Sequence, residues 1–353
     1  MSIKKTKFIS IIWGYSENMY SFSEEENYHL HILSIAKQKG FLPCVIIKNG
    51  KKIIEKDPHF DSDIKIIEYK NIFNYLFNIT KYSIQNSIFY VNSYEWQSFI
   101  VPFFSRRTIF MGHSQTKRSS TKLQKIQNFV FKFFKLIRLN NETEKKYLIS
   151  QGTKKDKLMI VPLIVSQKIF KLEEKIQKKD LVYFGNITPT KNIETILKSF
   201  SVVRDIKPDI KLNIIGNIYD PNFETQVQKL KLEESIVIHG YLKQDSKLTN
   251  LLNSFLIYLN SSKSEGQCVA VYDAALCGCV LCLPNIMSFS DIFKEKALFH
   301  EVNDYEQLAS NILQYLDKPD MIEEYREKCI FTIKEDYSQK VIEEKLKLML
   351  SKI

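Results

Sequence analysis

The sequence predicts an α/β protein made of two domains, each with a parallel β-sheet covered by helices. Its 353 residues exceed what one hydrophobic core usually needs and suit two cores. Short apolar runs alternate with segments of helical periodicity, which is the order of elements in doubly wound sheets. The Lys-, Glu- and Gln-rich segment 168–180 interrupts this alternation near the middle of the chain and predicts a hinge.

The elements of the first half follow from apolar runs that end at turn residues. The run 8–12 stops at Trp13-Gly14 without the small residues of a signal-peptide cleavage site, so it is interpreted as a buried strand. No later run has the uncharged length that spans a bilayer. Further strands are predicted at 43–47, 64–68, 88–92, 108–111, 136–139 and 159–165, and helices at 28–38 and 123–134.

The second half repeats the same alternation after the hinge. Strands are predicted at 181–184, 211–215, 236–238, 256–259 and 280–283, and helices at 192–203, 223–231, 247–254, 269–276 and 305–316. From residue 321 to the end the apolar residues recur at helical spacing. We therefore expect two Rossmann-like domains, 1–166 and 167–335, and a terminal helix 336–353.

Composition limits the kinds of partner. The net charge of +11 suggests an anionic partner, although the lysines are spread along the whole chain as a codon bias would spread them. Three of six cysteines lie at 277, 279 and 282, too close together for a disulfide framework and without the second pair that a zinc site needs. The cysteines are therefore interpreted as buried, reduced thiols, and no metal is expected.

The segment 256–278 carries the strongest chemical signal. A buried strand runs into a polar turn, and a helix is expected to begin at Glu265-Gly266, where free amides and the helix dipole suit a diphosphate. Asp273 lies eight residues after Glu265, so both carboxylates are expected on one helix face, within reach of sugar and ribose hydroxyls. The alternative is an N-terminal acid that stabilises the dipole and an unrelated acid in mid-helix.

This segment resembles the E-x7-E signature of the retaining nucleotide-sugar glycosyltransferases with the GT-B fold (group 1, or family 4, glycosyltransferases). Asp273 stands for the second Glu of the signature, and Gln267 and Cys268 stand where the family has Phe-Gly. The resemblance implies two facing Rossmann-like domains, a cleft between them and a terminal helix that crosses back to the first domain. It also implies transfer of a sugar from a nucleoside-diphosphate donor with retention at the anomeric carbon. The matching positions are Ser262, Glu265, Gly266, Ala274, Cys277 and Gly278.

Flanking segments resemble further parts of the family pattern. Gly185-Asn186 through Lys191 is similar to a Gly-Arg-x4-Lys loop whose two cations bind the donor diphosphate, with Asn186 in place of the Arg. The resemblance places Glu265 near the donor sugar, Lys191 on the diphosphate and Asp273 on the ribose. The other implied donor-binding residues are Asn186, Gly216, Gly240, Tyr241, Leu242, Ser264, Gly266, Gln267 and Cys268.

The first half supplies the implied acceptor side. The strand 108–111 leads to His113, which resembles the His that assists at the reacting sugar, although a solvent-facing or core His is the alternative. The family's Gly-Gly acceptor loop is replaced here by Trp13-Gly14-Tyr15, with a single Gly. Trp96 is a further residue that could stack on a sugar, or else pack in the core. The implied acceptor-binding residues are Trp13, Gly14, Tyr15 and Lys117.

The segment 106–138 contains nine Lys and Arg, no acid and the run Phe129-Val-Phe131-Lys-Phe133-Phe134. Such a segment can bind an anionic membrane surface, or be a helix that buries its Phe face while its lysines face water. No nucleic-acid-binding module is recognised.

We therefore expect a cytoplasmic hexosyltransferase, peripheral on the membrane, that makes a surface polysaccharide or glycolipid from a glycan or lipid-linked acceptor, without a cofactor. The alternatives are a non-catalytic glycosyltransferase-like subunit and a nucleotide-sugar epimerase of the same fold.

Overall fold

The computed structural model describes residues 5–12, 27–92, 95–111, 121–165, 167 and 170–353, and the side chains of 121–123 are outside this description. The chain divides into two compact units. The first unit consists of Met1–Ile164 and Gln339–Ile353, and the second unit is Val165–Ser338.

Among its described residues, the first unit contains a seven-stranded sheet in the order β3-β2-β1-β4-β5-β6-β7, with every neighbouring pair parallel. The strands are β1 (Lys7–Ile12), β2 (Leu42–Lys48), β3 (Lys65–Tyr69), β4 (Ile88–Val91), β5 (Thr108–Met111), β6 (Leu136–Leu139) and β7 (Leu158–Ile160). The helices are α1 (Tyr28–Gln38), α2 (Lys51–Ile54), α3 (Ile72–Ile84), α4 (Val101–Phe104), α5 (Thr121–Phe131) and α6 (Glu142–Ser150).

The second unit, described without a gap from residue 170, contains a six-stranded parallel sheet in the order β10-β9-β8-β11-β12-β13. The strands are β8 (Lys179–Phe184), β9 (Leu212–Ile215), β10 (Ile236–Gly240), β11 (Phe255–Leu259), β12 (Val280–Pro284) and β13 (Leu298–His300). The helices are α7 (Ile193–Ile206), α8 (Phe223–Lys229), α9 (Ser246–Asn253), α10 (Val269–Leu276), α11 (Met287–Phe293), α12 (Tyr305–Asp317) and α13 (Pro319–Asp336).

The sheet of the first unit is covered on both faces, as the unbroken apolar strands require. Side chains alternate along β1, so Phe8 and Ile12 join one core while Ile9 and Ile11 join the other. The first core contains α1 and the terminal helix α14 (Gln339–Ser351), whose Ile342, Leu346 and Met349 are fully buried there. The second core contains residues of α3, α4, α5 and α6, which therefore form one helical layer.

The sheet of the second unit is also covered on both faces. Residues of α7, α8 and α12 pack on one face, and residues of α9, α10 and α11 pack on the other. All six cysteines lie in described parts of the chain and are free, and five of them are buried, as the sequence predicts. No helix in the described part of the chain combines the length and the apolarity needed to cross a bilayer.

The predicted α/β class with two parallel sheets is confirmed, and the predicted strands are present. The run 159–165 is a strand only as far as Ile160, because Pro162 has no amide for a ladder. Helix α5 ends at Phe131 and does not continue to residue 134. Helices α2, α3, α4, α6 and α11 and strand β13 were not predicted.

Candidate functional site

The candidate site lies where the strand order of the second sheet reverses. Strands β9 and β10 extend the sheet on one side of β8, whereas β11, β12 and β13 extend it on the other side. The loops after β8 and β11 are therefore neighbours at the carboxyl edge of the sheet, and the helices that follow them pack on opposite faces. Ligands of open α/β sheets bind at such reversal points.

The two loops are locked together through Asn192 and Ser261. Asn192 has φ of +55°, a conformation that Asn tolerates better than most residues. Its Nδ2 donates to the carbonyl of Ser261 at 3.1 Å, and Ser261 Oγ donates to the carbonyls of Asn192 at 2.7 Å and Lys191 at 3.0 Å. Both side chains are buried, so this contact fixes the position of Lys191 relative to the β11 loop.

Lys191 and Glu265, the two residues predicted for the diphosphate and the donor sugar, form an ion pair. Lys191 Nζ lies 2.5 Å from Glu265 Oε1, and Ser262 Oγ donates to the same oxygen at 2.6 Å. Ser288 Oγ, at the start of α11, donates to the backbone carbonyl of Glu265 at 2.6 Å. The side chains of Lys191 and Glu265 are 25% and 10% exposed, so the pair is mostly but not fully enclosed.

The electrostatics of this pair keep the lysine charged. Burial lowers the pKa of Lys191, but the charge of Glu265 and the hydrogen bond to it raise that pKa, and the net shift is upward. Burial raises the pKa of the Cys268 thiol to about 12, and the charge of Glu265 adds to that rise. At neutral pH the site therefore presents an ammonium group and a protonated thiol beside the carboxylate of Glu265.

The expected helix start at Glu265-Gly266 is wrong. Helix α10 begins at Val269, and its preceding residue Cys268 has φ of +53° and ψ of 72°. This left-handed conformation is the one that glycine adopts without strain, and the family pattern has Gly at the position of Cys268. Glu265, Gly266 and Gln267 consequently lie in the loop before the helix.

The expectation that Glu265 and Asp273 share one helix face is wrong for the same reason. Asp273 lies within α10 and is 1% exposed. Glu265 is directed instead to Lys191, outside the helix. The contact of Asp273 with a ribose stays a prediction.

The remaining predicted donor residues lie at the ends of β8, β9 and β10 and in the β11 loop. The amide of Gly216 donates to the carbonyl of Gly240 at 2.8 Å, so these two turns are adjacent. Asn186 Oδ1 accepts from the amide of Asn217 at 3.0 Å, which makes it a brace between two loops. Tyr241 is exposed, whereas Leu242 packs against the core that contains α10. Ser264 lies partly buried in the β11 loop, and Gln267 is buried there.

The predicted catalytic His113 and the predicted acceptor residues lie outside the described residues. This applies to Trp13, Gly14, Tyr15 and Lys117 as well. Trp96 is described and is 58% exposed, so the interpretation of core packing is wrong for this residue.

Sequence reasoning missed the residues that hold the site together, namely Asn192, Asn260, Ser261 and Ser288. Asn260 Oδ1 accepts from the amide of Ser262 at 2.9 Å, and the Asn260 carbonyl lies 3.0 Å from His300 Nε2. The available signal was the polar run Asn260-Ser261-Ser262 directly after a buried strand, where unpaired polar side chains are costly.

Comparisons with known proteins relate the second unit to a family of enzymes. The family model described as "Glycosyl transferases group 1" matches residues 165–336, which is almost the whole second unit. The curated tRNA-queuosine alpha-mannosyltransferase of Drosophila melanogaster is 26% identical over 115 residues. That match spans 32% of this chain and 30% of the relative.

Solved structures match the chain over nearly its full length. The structure of Anabaena Alr3699/HepE in complex with UDP has a TM-score of 0.81 and 12% identity, and the match covers 99% of this chain and 100% of that one. The glycosyltransferase of Rickettsia africae has a TM-score of 0.75 and 18% identity, with coverages of 99% and 98%. The chain therefore has the GT-B fold, and its second unit matches the group 1 glycosyltransferases.

Proposed function

We propose that this protein is a retaining glycosyltransferase that moves a hexose from a nucleoside-diphosphate sugar to a glycan or lipid-linked acceptor. The observation that carries the proposal is the ion pair between Lys191 and Glu265. This pair brings a cation and an acid together where the strand order of the second sheet reverses. The sheet belongs to the unit that the family model matches.

In this proposal Lys191 binds the diphosphate. Its ammonium is held in one place by Glu265 and by the interlocked loops, so little side-chain freedom is lost when the anion binds. A diphosphate oxygen takes over part of the lysine's hydrogen bonding, and Glu265 turns toward the hydroxyls of the donor sugar. The amides of Gly266 to Cys268 share the diphosphate charge. No metal is needed in this scheme, because cations and backbone dipoles neutralise the charge.

The proposed reaction balances without a strong protein base. The bond between the anomeric carbon and the diphosphate oxygen breaks, and the acceptor oxygen bonds to the same face of that carbon. The acceptor proton passes to the departing phosphate oxygen, so the products are the glycoside and the nucleoside diphosphate. His113 assists at the reacting sugar, and Trp13, Gly14, Tyr15 and Lys117 bind the acceptor; these roles remain predictions.

The relatives support the reaction class and leave the acceptor open. Anabaena HepE has been crystallised with UDP and with UDP-glucose, and the Drosophila relative is named as a mannosyltransferase. We propose synthesis of a surface polysaccharide or glycolipid in the cytoplasm as the setting.

A panel of donors tests the proposal. UDP-, GDP- and ADP-sugars are screened for thermal stabilisation, and hits are incubated with glycan and lipid-linked acceptors while products are measured by mass spectrometry. We expect one nucleotide class to raise the melting temperature, because a ligand that binds only the folded state stabilises it. Absence of stabilisation by every donor, with the protein folded, would refute a nucleotide-sugar site.

A non-catalytic subunit of the same fold is the second candidate. Asn186 stands where the family pattern has a cationic Arg, and its side chain accepts a hydrogen bond from the loop after β9. The side chain of Asp273 is buried. This candidate predicts donor binding without hydrolysis or transfer. An epimerase would convert the donor with no acceptor present, so the sugar recovered from the donor distinguishes the third possibility.

A further inference from the structure

The helical layer formed by α3, α4 and α5 on the first unit has an apolar outer surface. These helices bury Tyr75, Val101 and Phe131 against the same face of the sheet. Their opposite sides expose large apolar side chains, which we call the α3–α5 surface. It is formed by Phe73, Phe77, Phe103, Ile126, Phe129 and Phe133.

The centre of the α3–α5 surface is a cluster of aromatic rings. The ring centroid of Phe133 lies 4.9 Å from that of Phe103 and 5.2 Å from that of Phe129. Phe103 and Phe129 are 56% and 57% exposed, and Phe133 is 43% exposed. Phe131 and Phe134 in the same segment are buried. The core is therefore completed by one set of Phe residues, while a second set is left in contact with solvent.

The charge of this part of the chain is almost entirely positive. Between residues 70 and 135 the only acid is Glu95, and residues 96–141 contain no acid at all. The exposed cations on the helical layer and its flanking turns include Lys81, Arg106, Lys125, Lys132 and Lys135. Arg138 does not belong to this set, because it is buried and donates to the carbonyls of Val161 and Pro162.

We propose that the α3–α5 surface docks on an anionic phospholipid bilayer. Exposed aromatic and aliphatic side chains can insert into the headgroup region of a bilayer. The lysines and arginines around them can bind the phosphates of acidic lipids. A second copy of this chain would bring two cationic surfaces together. RNA would match the charge, but it would leave Ile126 and the Phe cluster without an apolar environment.

The binding test uses the full chain and vesicles of neutral phosphatidylcholine, with or without phosphatidylglycerol, in the absence of any donor. We expect co-sedimentation with the anionic vesicles only, weakened by salt. The absence of donor separates this result from the proposed glycosyl transfer. No binding to anionic vesicles, or equal binding to neutral ones, overturns the proposal.

Trp96 reports whether the surface enters the bilayer. It begins the turn Trp96–Ile100 that leads into α4, and Phe99 of that turn packs on Phe110 of β5 and on Phe131 of α5. The chain has only one other Trp, Trp13, so a Trp13→Phe background makes the emission specific. A blue shift with anionic vesicles, and quenching by brominated lipid, is expected. An unchanged spectrum in sedimenting protein argues against insertion and overturns the proposal.

Two groups of variants separate the apolar and the charged contributions. Phe103, Phe129 and Phe133 are changed together to Ser, and affinity is expected to fall at least tenfold with loss of the Trp96 shift. Changing Lys125, Lys132 and Lys135 to Gln is expected to weaken binding roughly a hundredfold, since one cation near an acidic surface contributes about fivefold.

Matched controls change exposed residues elsewhere. Val202, Ile206 and Phe331, exposed on the second unit, are changed to Ser, and Lys52, Lys56 and Lys229 to Gln. Both controls are expected to bind vesicles as the unmodified chain does, and thermal melts check that all variants fold. Equal losses in controls and test variants overturn the proposal. The proposal is also overturned if the unmodified chain is a dimer and the triple Phe variant is a monomer. It is overturned as well if tRNA displaces the protein from vesicles and still binds the triple Phe variant.

Discussion

Replacing Lys191 with Met is expected to weaken nucleoside-diphosphate binding and to leave nucleoside binding unchanged. Met keeps a long apolar stem and removes only the ammonium group. The ammonium is held 2.5 Å from Glu265, in a loop that Ser261 and Asn192 fix in place. The variant therefore removes a charge at a defined point and leaves the loop geometry intact.

The expected magnitude follows from the partial burial of the pair. Hydrogen bonds to charged groups are worth about 1.5–3 kcal/mol, and one pKa unit or tenfold in affinity corresponds to about 1.4 kcal/mol. The dissociation constant for the diphosphate should therefore rise about 10- to 150-fold. The free energy of unfolding should fall by about 1–3 kcal/mol, because Glu265 is only 10% exposed and loses the cation with which it is paired.

Glu265→Gln should act in the opposite direction on binding. It removes a negative charge that competes with the diphosphate for Lys191, so the diphosphate should bind equally well or more tightly. Turnover with the donor should nevertheless fall, because the neutral amide no longer supports charge that develops on the sugar.

Isothermal titration calorimetry measures these effects with whichever of UDP, GDP and ADP stabilises the protein most, and with the matching nucleoside. Lys198→Met is the matched control, because Lys198 lies on α7 in the same unit and pairs on the surface with Glu194 at 2.7 Å. A Lys191 variant with unchanged diphosphate affinity, or one that loses the nucleoside equally, would refute the assignment.

Three further predictions follow from the backbone and from one histidine. Gly216→Ala should lower the free energy of unfolding by about 3 kcal/mol or more in urea titrations, because its new Cβ would lie 2.2 Å from the Gly185 carbonyl oxygen. Gly240→Ala, with φ of +68° and open space around the Cβ, should cost only about 1–2 kcal/mol; equal losses would contradict this reasoning. The Cys268→Gly variant should have a melting temperature no lower than that of the unmodified protein. Glycine removes the strain of the left-handed backbone, about 1–2 kcal/mol, and this offsets the greater conformational entropy that glycine gives the unfolded chain. The Cys268→Val variant should melt at a lower temperature, because a β-branched residue fits this backbone conformation poorly. Burial lowers the pKa of His239, so the folded state binds its proton less readily than the unfolded state does. The contribution of His239 to the free energy of unfolding should therefore be fully present above about pH 6.5 and should be lost as the pH falls below that value. The urea midpoint of the His239→Gln variant should depend less on pH in this acid range than that of the unmodified protein.

Much of the fold was predictable from local patterns. The apolar runs of β1, β5 and β6 and the periodicity of α1 identify buried strands and a helix, because burial on both faces of a parallel sheet leaves no polar alternation. Helix α3 escaped prediction because Phe73 and Phe77 face outward and blur the amphipathic pattern. The same exposure marks the α3–α5 surface.

The candidate site was predictable in its residue types and not in its geometry. Lys191 and Glu265 were identified from a motif, but Cys268 replaces the Gly with which that motif would indicate a left-handed conformation. Helical periodicity applied to residues 265–273 therefore placed two carboxylates on one face, although the first four of those residues are not helical. A backbone conformation of that kind depends on contacts such as the hydrogen bond from Ser288, 23 residues further along the chain, to the carbonyl of Glu265.

The sequence alone determined the α/β class, the two-domain organisation it predicts and the residues from which a nucleotide-sugar site is inferred. These follow from spacing within short segments, which fixes which side chains share a face. Only the tertiary structure decided that Lys191 meets Glu265 across 74 residues, and which Phe residues of α5 complete the core. Both depend on the order of strands in a sheet and on the layer that packs against it, and these are set by contacts between segments far apart in the chain.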